Sequence, residues 1–403
     1  MRQMTMVPSD MRVHHRGLVL RLLRDKGPMS RAEAARRSQL SAPTVGEIVA
    51  DLLDDGLVTE VRPGSGTARP RNVDIALAAE ASQVVGVHIE QGRFRVATLD
   101  LLGRLVIDLE FRFEVGAAAD QVLGAIAAGT SRLLAAADVS GRRVLGIGVS
   151  LPATVDQSGR RVELSRALGW RDAPVGDMLE DLVGLPVVVD YNVRAMALAE
   201  ARYGCGRGVG DVLYVHVGRD VGVGVVVAGE AFHARMQGAP EFGHQQVVSD
   251  GEPCACGITG CLETVISEPA LLRRARAAAT PGSHLALDLD ARTPPLDLLE
   301  SAASAGDVGA QAVIDEFGET LAAAVASAVN LLTPEVVAFG GALAMASKGL
   351  LIELRKQLHG RVCPAVRDAI RVERSLLGAD AGVLGAGTVA LDRVLYQAGT
   401  TAP

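Results

Sequence analysis

Three of the five cysteines in this chain lie within eight residues of one another, in the segment EFGHQQVVSDGEPCACGITGCLE. Cys254, Cys256 and Cys261 follow His244 closely, so one short stretch offers an imidazole nitrogen and three sulfur atoms. Zn²⁺ prefers four tetrahedral nitrogen and sulfur ligands, and a set without an open coordination position is structural rather than catalytic. The spacing therefore predicts a structural zinc site. The alternative is a buried thiol cluster that holds no metal.

The composition indicates a long cytoplasmic chain around this segment. With 403 residues, 49% of them hydrophobic, the sequence has room for two or three domains with buried cores. Five cysteines in so long a chain do not form a disulfide framework, which predicts a reducing cytoplasm. We expect the isolated Cys205 and Cys363 to be ordinary buried residues. The start lacks a signal peptide, and no apolar run is long enough to span a membrane.

The net charge of −7 is unevenly distributed. Residues 1–72 hold 12 Arg and Lys against 8 Asp and Glu, a net charge of +4, and the remainder holds 28 against 39, a net charge of −11. A basic head on an acidic body predicts that the head meets a polyanion. Aromatic residues make up only 3% of the chain, so base stacking is not the expected mode of contact.

The head has the pattern of a helix-turn-helix. Leu18 and Leu22 have the i, i+4 spacing of a first amphipathic helix. Ser30 and Glu33 in SRAE predict a capping box at the start of a second helix, and Ser41 is the expected cap of a third, APTVGEIVADLLDDG. Two short helices separated by a tight polar turn are typical of a helix-turn-helix.

A hairpin is predicted to follow these helices. LVTEV and RNVDIAL have strand-like composition, and RPGSGTARP between them predicts a tip that carries arginines, as in a wing. Short polar residues on the third helix can approach base edges, while arginines in a flexible tip suit phosphates or a narrow minor groove. The candidate DNA-binding residues are Ser41, Thr44, Glu47, Arg62, Arg69 and Arg71. The alternative is a small helical domain used for dimerisation.

The rest of the chain interleaves strands and helices. VVGVHIEQGRFRVATLDLLGRLVIDLEFRF predicts a three-stranded meander, followed by a helix at about 117–137. The pattern recurs with strands near Val212–Val217 and Val223–Val227 and a later strand, EVVAFGG. This alternation indicates an α/β body of two similar lobes. We predict a DNA-binding domain over residues 1–76 and a two-lobed body over residues 80–403.

Several segments of the body resemble one family. PEFGHQQVVSDGEPCACGITGCLE resembles the zinc signature of ROK proteins (repressors, open reading frames and kinases), and LGWRDAPVGDMLE, LTPEVVAFGGALA and LGADAGVLGAGTVAL resemble its other segments in the same order. With the winged head, the resemblance covers nearly the whole chain and matches the transcriptional-regulator branch. It implies an actin-like (RNase H-like) two-lobed body behind the winged helix-turn-helix.

The resemblance also implies a sugar site beside the zinc. Glu241, His244 and Glu263 resemble residues that contact sugar hydroxyls, and carboxylates are good acceptors for vicinal hydroxyl groups. A metal that fixes the segment would preorganise these side chains. The alternative is that the two glutamates are solvated surface residues.

The phosphate-binding loops of the family's kinases are altered here. The first loop, DxGGT in the kinases, corresponds to VHIEQGR, with His88 for the aspartate and Glu90 and Gln91 for the glycines. The second, GTGxGxG, corresponds to GRDVGVG, which contains Asp220. Backbone amides cannot approach a phosphate closely at the first loop, and the added carboxylates repel it.

The catalytic base of the kinases is altered as well. It is the aspartate of an NDxNxxxLxE segment, which corresponds here to YNVRAMALAE with Asn192 at the base position and Tyr191 before it. An amide cannot act as the base, although Asn192 can still hydrogen-bond a sugar hydroxyl. Asp190 lies two residues away, at a strand end where we expect it to face elsewhere.

These losses predict a regulator without enzymatic activity. The predicted function is a DNA-binding transcriptional repressor whose degenerate sugar-kinase body senses a sugar or sugar derivative and carries zinc. The expected partners are a palindromic double-stranded DNA operator, a sugar or sugar-phosphate effector, and further copies of the chain in a homodimer or homotetramer. Two alternatives stay open: an effector-blind regulator whose body serves oligomerisation or partner docking, and an active ATP-dependent sugar kinase.

Overall fold

The structure is a computed structural model that describes residues 8–61, 73–136, 141–233, 239–288 and 293–396. The described residues up to Ala195 and from Gly382 onward form one compact unit, and those between them form a second. Among the helices described, none combines the length and the apolar character needed to cross a membrane. Cys363 is exposed and Cys205 is only half-buried, so the expectation that both are buried was wrong.

The head begins the first unit and has the predicted winged helix-turn-helix order. Its elements are α1 (Pro8–Lys26), β1 (Met29–Ser30), α2 (Arg31–Ser38), α3 (Ala42–Asp54), β2 (Val58–Val61) and β3 (Asp74–Leu77). The three strands form a sheet in the order β1-β3-β2, with antiparallel pairing throughout. The Arg62, Arg69 and Arg71 of the predicted wing tip lie outside the described residues.

The predicted caps position the two helices of the motif. The Ser30 hydroxyl accepts a hydrogen bond from the Glu33 amide at 3.2 Å, and the Ser41 hydroxyl accepts one from the Thr44 amide at 3.2 Å. The Glu33 carboxylate, expected to complete a capping box, is engaged in ion pairs with two arginines of α2. Gln39 adopts a left-handed conformation, φ 59°, which ends α2 and turns the chain toward α3.

The remainder of the first unit is built on a five-stranded sheet. Its elements are β4 (Ser82–Glu90), β5 (Arg93–Asp100), β6 (Leu105–Arg112), α4 (Ala119–Leu134), β7 (Arg143–Leu151), β8 (Thr154–Val155), β9 (Val162–Ser165), β10 (Trp170–Ala173), α5 (Val175–Val183), β11 (Val187–Tyr191) and the start of α6 (Asn192–Tyr203). The sheet order is β11-β7-β4-β5-β6, with an antiparallel meander on one side and parallel strands on the other. Strands β8, β9 and β10 form a small separate sheet.

The second unit repeats this plan. Its elements are β12 (Val212–Val217), β13 (Val221–Val227), β14 (Glu230–Ala231), α7 (Leu262–Ile266), α8 (Glu268–Ala278), α9 (His284–Asp288), α10 (Pro295–Ser304), α11 (Val308–Leu332), β15 (Val336–Gly341), α12 (Ala342–Met345), α13 (Lys348–His359), α14 (Pro364–Arg367) and β16 (Arg371–Arg374). The sheet order is β14-β13-β12-β15-β16, again an antiparallel meander followed by parallel strands. Two sheets of this topology confirm the predicted actin-like fold class.

The chain then returns to the first unit through α15 (Ala381–Leu391) and a π-helical segment (Asp392–Tyr396). Helix α15 packs so closely on the sheet that a Cβ at Gly148 would collide with the carbonyl oxygen of Ala386. The head's apolar side chains form one core with residues of this C-terminal segment and of β4 and β5, including Leu395, Leu99 and Val84. The head therefore has no separate core of its own.

Candidate functional site

The predicted metal ligands come together in the second unit. One ligand atom from each of His244, Cys254, Cys256 and Cys261 lies within 4.8 Å of the others. The His244 Nδ1 atom is 3.5 Å from the Cys254 sulfur, and the Cys256 and Cys261 sulfurs are 3.5 Å apart. Tetrahedral ligands at zinc–sulfur distances of about 2.3 Å lie about 3.8 Å apart, so the donor set fits this ion.

Glycine allows the backbone to fold around this cluster. Gly260 has a φ of 67°, and a Cβ there would collide with the carbonyl oxygen of Val248. The Gly260 amide also donates to the Glu252 carbonyl at 2.8 Å, and the Val247 amide donates to the Gly260 carbonyl at 2.8 Å. These contacts bring Cys261, the last ligand, back toward His244.

The thiols of the cluster resist ionisation in the absence of a cation. Burial raises the pKa of Cys261 to about 12, and the neighbouring Cys256 and Cys254 add to the increase. Burial is also the largest cause of the raised pKa of Cys254. A coordinated divalent cation reverses this effect because it stabilises the thiolate directly.

Two predicted sugar-binding carboxylates flank this cluster and differ in exposure. The Glu241 carboxylate is exposed and lies 3.8 Å from the His244 Nε2 atom, whereas the Cys254 sulfur lies beside the other ring nitrogen, Nδ1. Glu263 is half-buried, and its Oε2 atom accepts a hydrogen bond of 3.1 Å from the Val221 amide. Burial raises the pKa of Glu263, and the nearby Asp220 and Glu241 carboxylates raise it further. Glu263 therefore joins the segment that carries the metal ligands to the start of β13, within the stretch that corresponds to the second phosphate loop.

The stretch that corresponds to the first phosphate loop is occupied by a buried histidine in the first unit. His88 is 6% exposed, and its Nδ1 atom lies 2.8 Å from the Ser150 hydroxyl, which donates to the Gly382 carbonyl at 3.1 Å. A Cβ at Gly382 would collide with the His88 ring, so the imidazole packs directly against the backbone there. The adjacent Glu90 carboxylate contacts His88 and is ion-paired with Arg93.

Asn192 begins α6, directly after β11. It is 8% exposed, and its side-chain oxygen accepts a hydrogen bond of 3.0 Å from the Val193 amide. The Asp190 carboxylate accepts one of 2.7 Å from the Tyr191 amide and forms a buried ion pair with Arg194. Asp190 is thus engaged in buried contacts at the strand end. The sequence reasoning missed Arg194, which the kinase segment pattern has as an asparagine.

The predicted DNA-contacting residues of α3 lie on its accessible face. Ser41 and Glu47 are exposed and Thr44 is half-buried, while the Ser41 and Thr44 hydroxyls lie 2.8 Å apart. Two arginines of α1 that the sequence reasoning missed brace the other end of α3, because Arg12 pairs with Asp51 and Arg16 pairs with Asp55. The sequence alone did not point to them, because neither helix indicates that α1 packs against α3.

These features define a sugar-kinase-like α/β protein with a winged helix-turn-helix head and a Cys₃His loop in its second unit. The chain belongs to the ROK family, whose model matches residues 86–393, and a winged helix-turn-helix DNA-binding model matches residues 15–59.

Regulators and kinases both occur among its relatives. A putative xylose repressor of Caldicellulosiruptor sp. (strain Rt8B.4) is 26% identical over 381 residues, which cover 94% of this chain and 95% of the relative. A glucokinase of Halalkalibacterium halodurans is 33% identical over 308 residues, which cover 75% of this chain and 93% of the relative. The crystal structure of a ROK transcriptional regulator homologous to the E. coli Mlc protein matches with a TM-score of 0.84 and 25% identity, over 96% of this chain and 97% of that one.

Proposed function

We propose that this protein is a sugar-responsive transcriptional repressor whose body binds a sugar or sugar derivative without phosphorylating it. The observation that carries the proposal is the start of α6, where Asn192 supplies an amide at the catalytic-base position. The neighbouring Asp190 carboxylate is held in a buried ion pair with Arg194 and cannot replace the base. General-base catalysis typically contributes about 10²–10⁴-fold in rate, so its loss removes most of a kinase's turnover.

The phosphate loops support the same proposal. His88 fills the space next to the Gly382 backbone, and Glu90 places a negative charge where a kinase needs donors for phosphate. Asp220 adds a second carboxylate at the other loop. Phosphoryl transfer depends on positioning and neutralising the transferred phosphate, and these residues oppose both.

For the Cys₃His loop, we infer a structural zinc that orders one wall of the effector site. With His244 bound to the metal through Nδ1, its Nε2 atom carries the proton and can donate to Glu241 or to a sugar hydroxyl. Glu241 and Glu263 then accept hydrogen bonds from vicinal hydroxyls. Asn192 is proposed as a further hydroxyl-binding residue. The metal does no chemistry in this scheme.

The head is proposed to bind a palindromic operator as part of a homodimer or homotetramer. Helix α3 would enter the major groove with Ser41, Thr44 and Glu47 toward the base edges, and Arg62, Arg69 and Arg71 of the wing would contact phosphates or the minor groove. The assignment as a repressor is supported by the similarity to the putative xylose repressor over nearly the whole chain.

The test combines DNA binding with an ATP-coupled kinase assay. The purified chain is bound to the DNA upstream of its own gene, and monosaccharides, disaccharides and their phosphates are screened for release. We expect at least one to lower DNA affinity without being phosphorylated. Glu241→Gln and Glu263→Gln should remove this response and keep effector-free DNA binding. Glu252→Gln is a matched control, because this carboxylate belongs to the same loop but pairs with Arg273.

An active kinase is the second candidate, and the 33% identity to a glucokinase favours it. Measurable sugar phosphorylation by the unmodified chain would establish that candidate and end the sensor proposal. A chain that binds DNA but responds to no sugar in the screen would support the effector-blind regulator.

A further inference from the structure

Arg194 is a buried cation that its described neighbours compensate only in part. Its side chain is 4% exposed, and one guanidinium nitrogen, Nη2, contacts the Asp190 carboxylate. The Nε and Nη1 atoms are buried and have no hydrogen-bond partner among the described residues. Unsatisfied donors on a buried charge are costly, and each such group in a folded protein calls for a ligand, an ion or an ordered water.

The guanidinium lies at the first turn of α6. The Asp190 oxygen that binds Arg194 also accepts the hydrogen bond from the Tyr191 amide, so the side chain folds back to the residues that precede the helix. Helix α6 has 12 residues and follows β11, which pairs in parallel with β7. Ligands of open α/β sheets bind at the carboxyl ends of parallel strands, and a helix N-terminus attracts anions.

The first turn of α6 is more positively charged here than the corresponding turn of the kinase segment. Asn192 removes a carboxylate, and Arg194 replaces an uncharged asparagine, so each substitution raises the charge of the turn by one. The Asp190 carboxylate carries a single negative charge and pairs with Arg194, so it can offset only one of these two units of charge. A guanidinium has five N–H donors, and one carboxylate cannot satisfy them all.

We propose that Arg194 and the first turn of α6 bind an oxyanion, the phosphate or carboxylate group of the effector. The inference of an oxyanion site depends only on contacts within the first unit. Its assignment to the effector rests on the sensor function proposed above. The chemical class is therefore an anionic sugar, either a sugar phosphate or a sugar acid. A neutral sugar lacks the group that Arg194 would recognise.

The first experiment measures binding of defined anions to the full chain. Thermal unfolding is followed with inorganic phosphate, glucose 6-phosphate, glucuronate or glucose at matched ionic strength set with chloride. We expect phosphate and one class of anionic sugar to raise the melting temperature above the chloride reference, and glucose to have a smaller effect. A larger rise in melting temperature with glucose 6-phosphate indicates a site for phosphate, and a larger rise with glucuronate indicates a site for carboxylate.

Two variants assign the effect to this pair. Arg194→Gln alone would leave the Asp190 carboxylate buried without its partner, so the double variant Asp190→Asn, Arg194→Gln is used to keep the turn neutral. This double variant should bind whichever anion stabilises the unmodified chain about tenfold or more weakly, because hydrogen bonds to charged groups are among the stronger ones. Asp190→Asn alone should bind it more tightly, since the competing carboxylate is gone.

The outcomes separate this inference from the sensor proposal. Equal anion responses in the unmodified chain and the double variant, or no response to any anion, would mean that Arg194 has a structural role only and would overturn the site. Release from DNA by a neutral sugar alone would keep the sensor function and overturn the anionic effector. Anion binding through Arg194 without any effect on DNA affinity would support the site and contradict the sensor proposal.

Discussion

The guanidinium group of Arg24 lies over the ring of Tyr396, with 4.5 Å between the guanidinium carbon and the ring centroid. Arg24 also pairs with Asp392 at 3.6 Å, and the Arg21 side chain donates a hydrogen bond of 2.6 Å to the Tyr396 carbonyl. The Tyr396 hydroxyl donates to the Leu101 carbonyl at 2.8 Å. One tyrosine near the end of the chain thus joins the first helix of the head to the sheet of the body.

Removal of this ring is expected to loosen the head. Tyr396 is 1% exposed, and truncating a buried aromatic side chain typically costs about 3–5 kcal/mol. Tyr396→Ala should lower the free energy of unfolding by an amount in that range and weaken DNA binding. Tyr396→Phe keeps the ring and loses one hydrogen bond, so we expect a loss of about 1 kcal/mol. Urea unfolding and DNA titration measure both effects; equal losses in the two variants would contradict a role for the ring.

The metal site predicts a specific loss on substitution of one ligand. Purified protein should contain one zinc per chain by elemental analysis, and Cys256→Ser should lose it and destabilise the second unit. Cys205→Ser is the control, because Cys205 is only half-buried and lies outside the metal loop. Structural zinc contributes about 10–16 kcal/mol in small zinc-finger peptides, and we expect much less in this large body. A metal-free protein with unchanged stability and effector response would disprove the assignment.

Restoring the base should not restore the kinase. Asn192→Asp returns a carboxylate to the start of α6, but His88, Glu90 and Asp220 still oppose phosphate binding. We therefore expect no ATP-dependent sugar phosphorylation above that of the unmodified chain. The glucokinase relative serves as the positive control in the same coupled assay. Robust turnover by this single variant would show that the phosphate loops are still competent.

We predict that substitution of Gly46 has opposite effects on the stability of the head and on DNA affinity. It lies inside α3 between Thr44 and Glu47, and a Cβ there would meet no described atom within 4 Å. Gly46→Ala should stabilise the head by about 0.5–1 kcal/mol, because alanine is the better helix former. If α3 lies against the groove at this position, the added methyl group should weaken DNA binding several-fold.

Gly124 in α4 provides the matched control for this substitution. A Cβ at Gly124 would also meet no described atom within 4 Å, and α4 is outside the head. Gly124→Ala should therefore give a similar stability gain with unchanged DNA affinity. If Gly46→Ala also leaves DNA affinity unchanged, this part of α3 does not contact DNA.

Glu90 predicts a pH dependence of stability. Burial acts to raise its pKa, but the contacts with His88 and Arg93 outweigh burial and lower the pKa from 4.5 to about 2. The folded state therefore favours the ionised carboxylate, and this contribution is complete above a pH of about 4.5 and is lost as the pH falls toward 2. Glu90→Gln should reduce the free energy of unfolding at pH 7, and the difference should shrink steadily below pH 4.5. A difference that does not change with pH would contradict the ion-pair explanation.

Local sequence patterns were sufficient to predict most elements. Ser30 and Ser41 begin α2 and α3 because their hydroxyls accept amide hydrogen bonds that the helix itself cannot provide. The meander of the first lobe and the grouping of the four metal ligands were also predicted, since both depend on residues close together in the chain.

Relationships between distant residues could not be predicted in this way. The apolar stripe of α1 indicates a buried face, but nothing in it specifies Leu395 as its neighbour. Cys363 was wrongly expected to be buried, because thiol chemistry alone does not fix exposure. Arg194 was overlooked because its partner, Asp190, became apparent only when β11 and α6 were placed end to end.

The shared core of the head has a consequence for synthesis on the ribosome. The helix-turn-helix is translated first, yet Leu395 and Tyr396, which complete its apolar core, are translated more than three hundred residues later. A nascent or prematurely terminated chain therefore carries a head with an uncovered apolar face. Only a chain translated through this segment can bury that face, so we expect incomplete products to carry a less stable DNA-binding head.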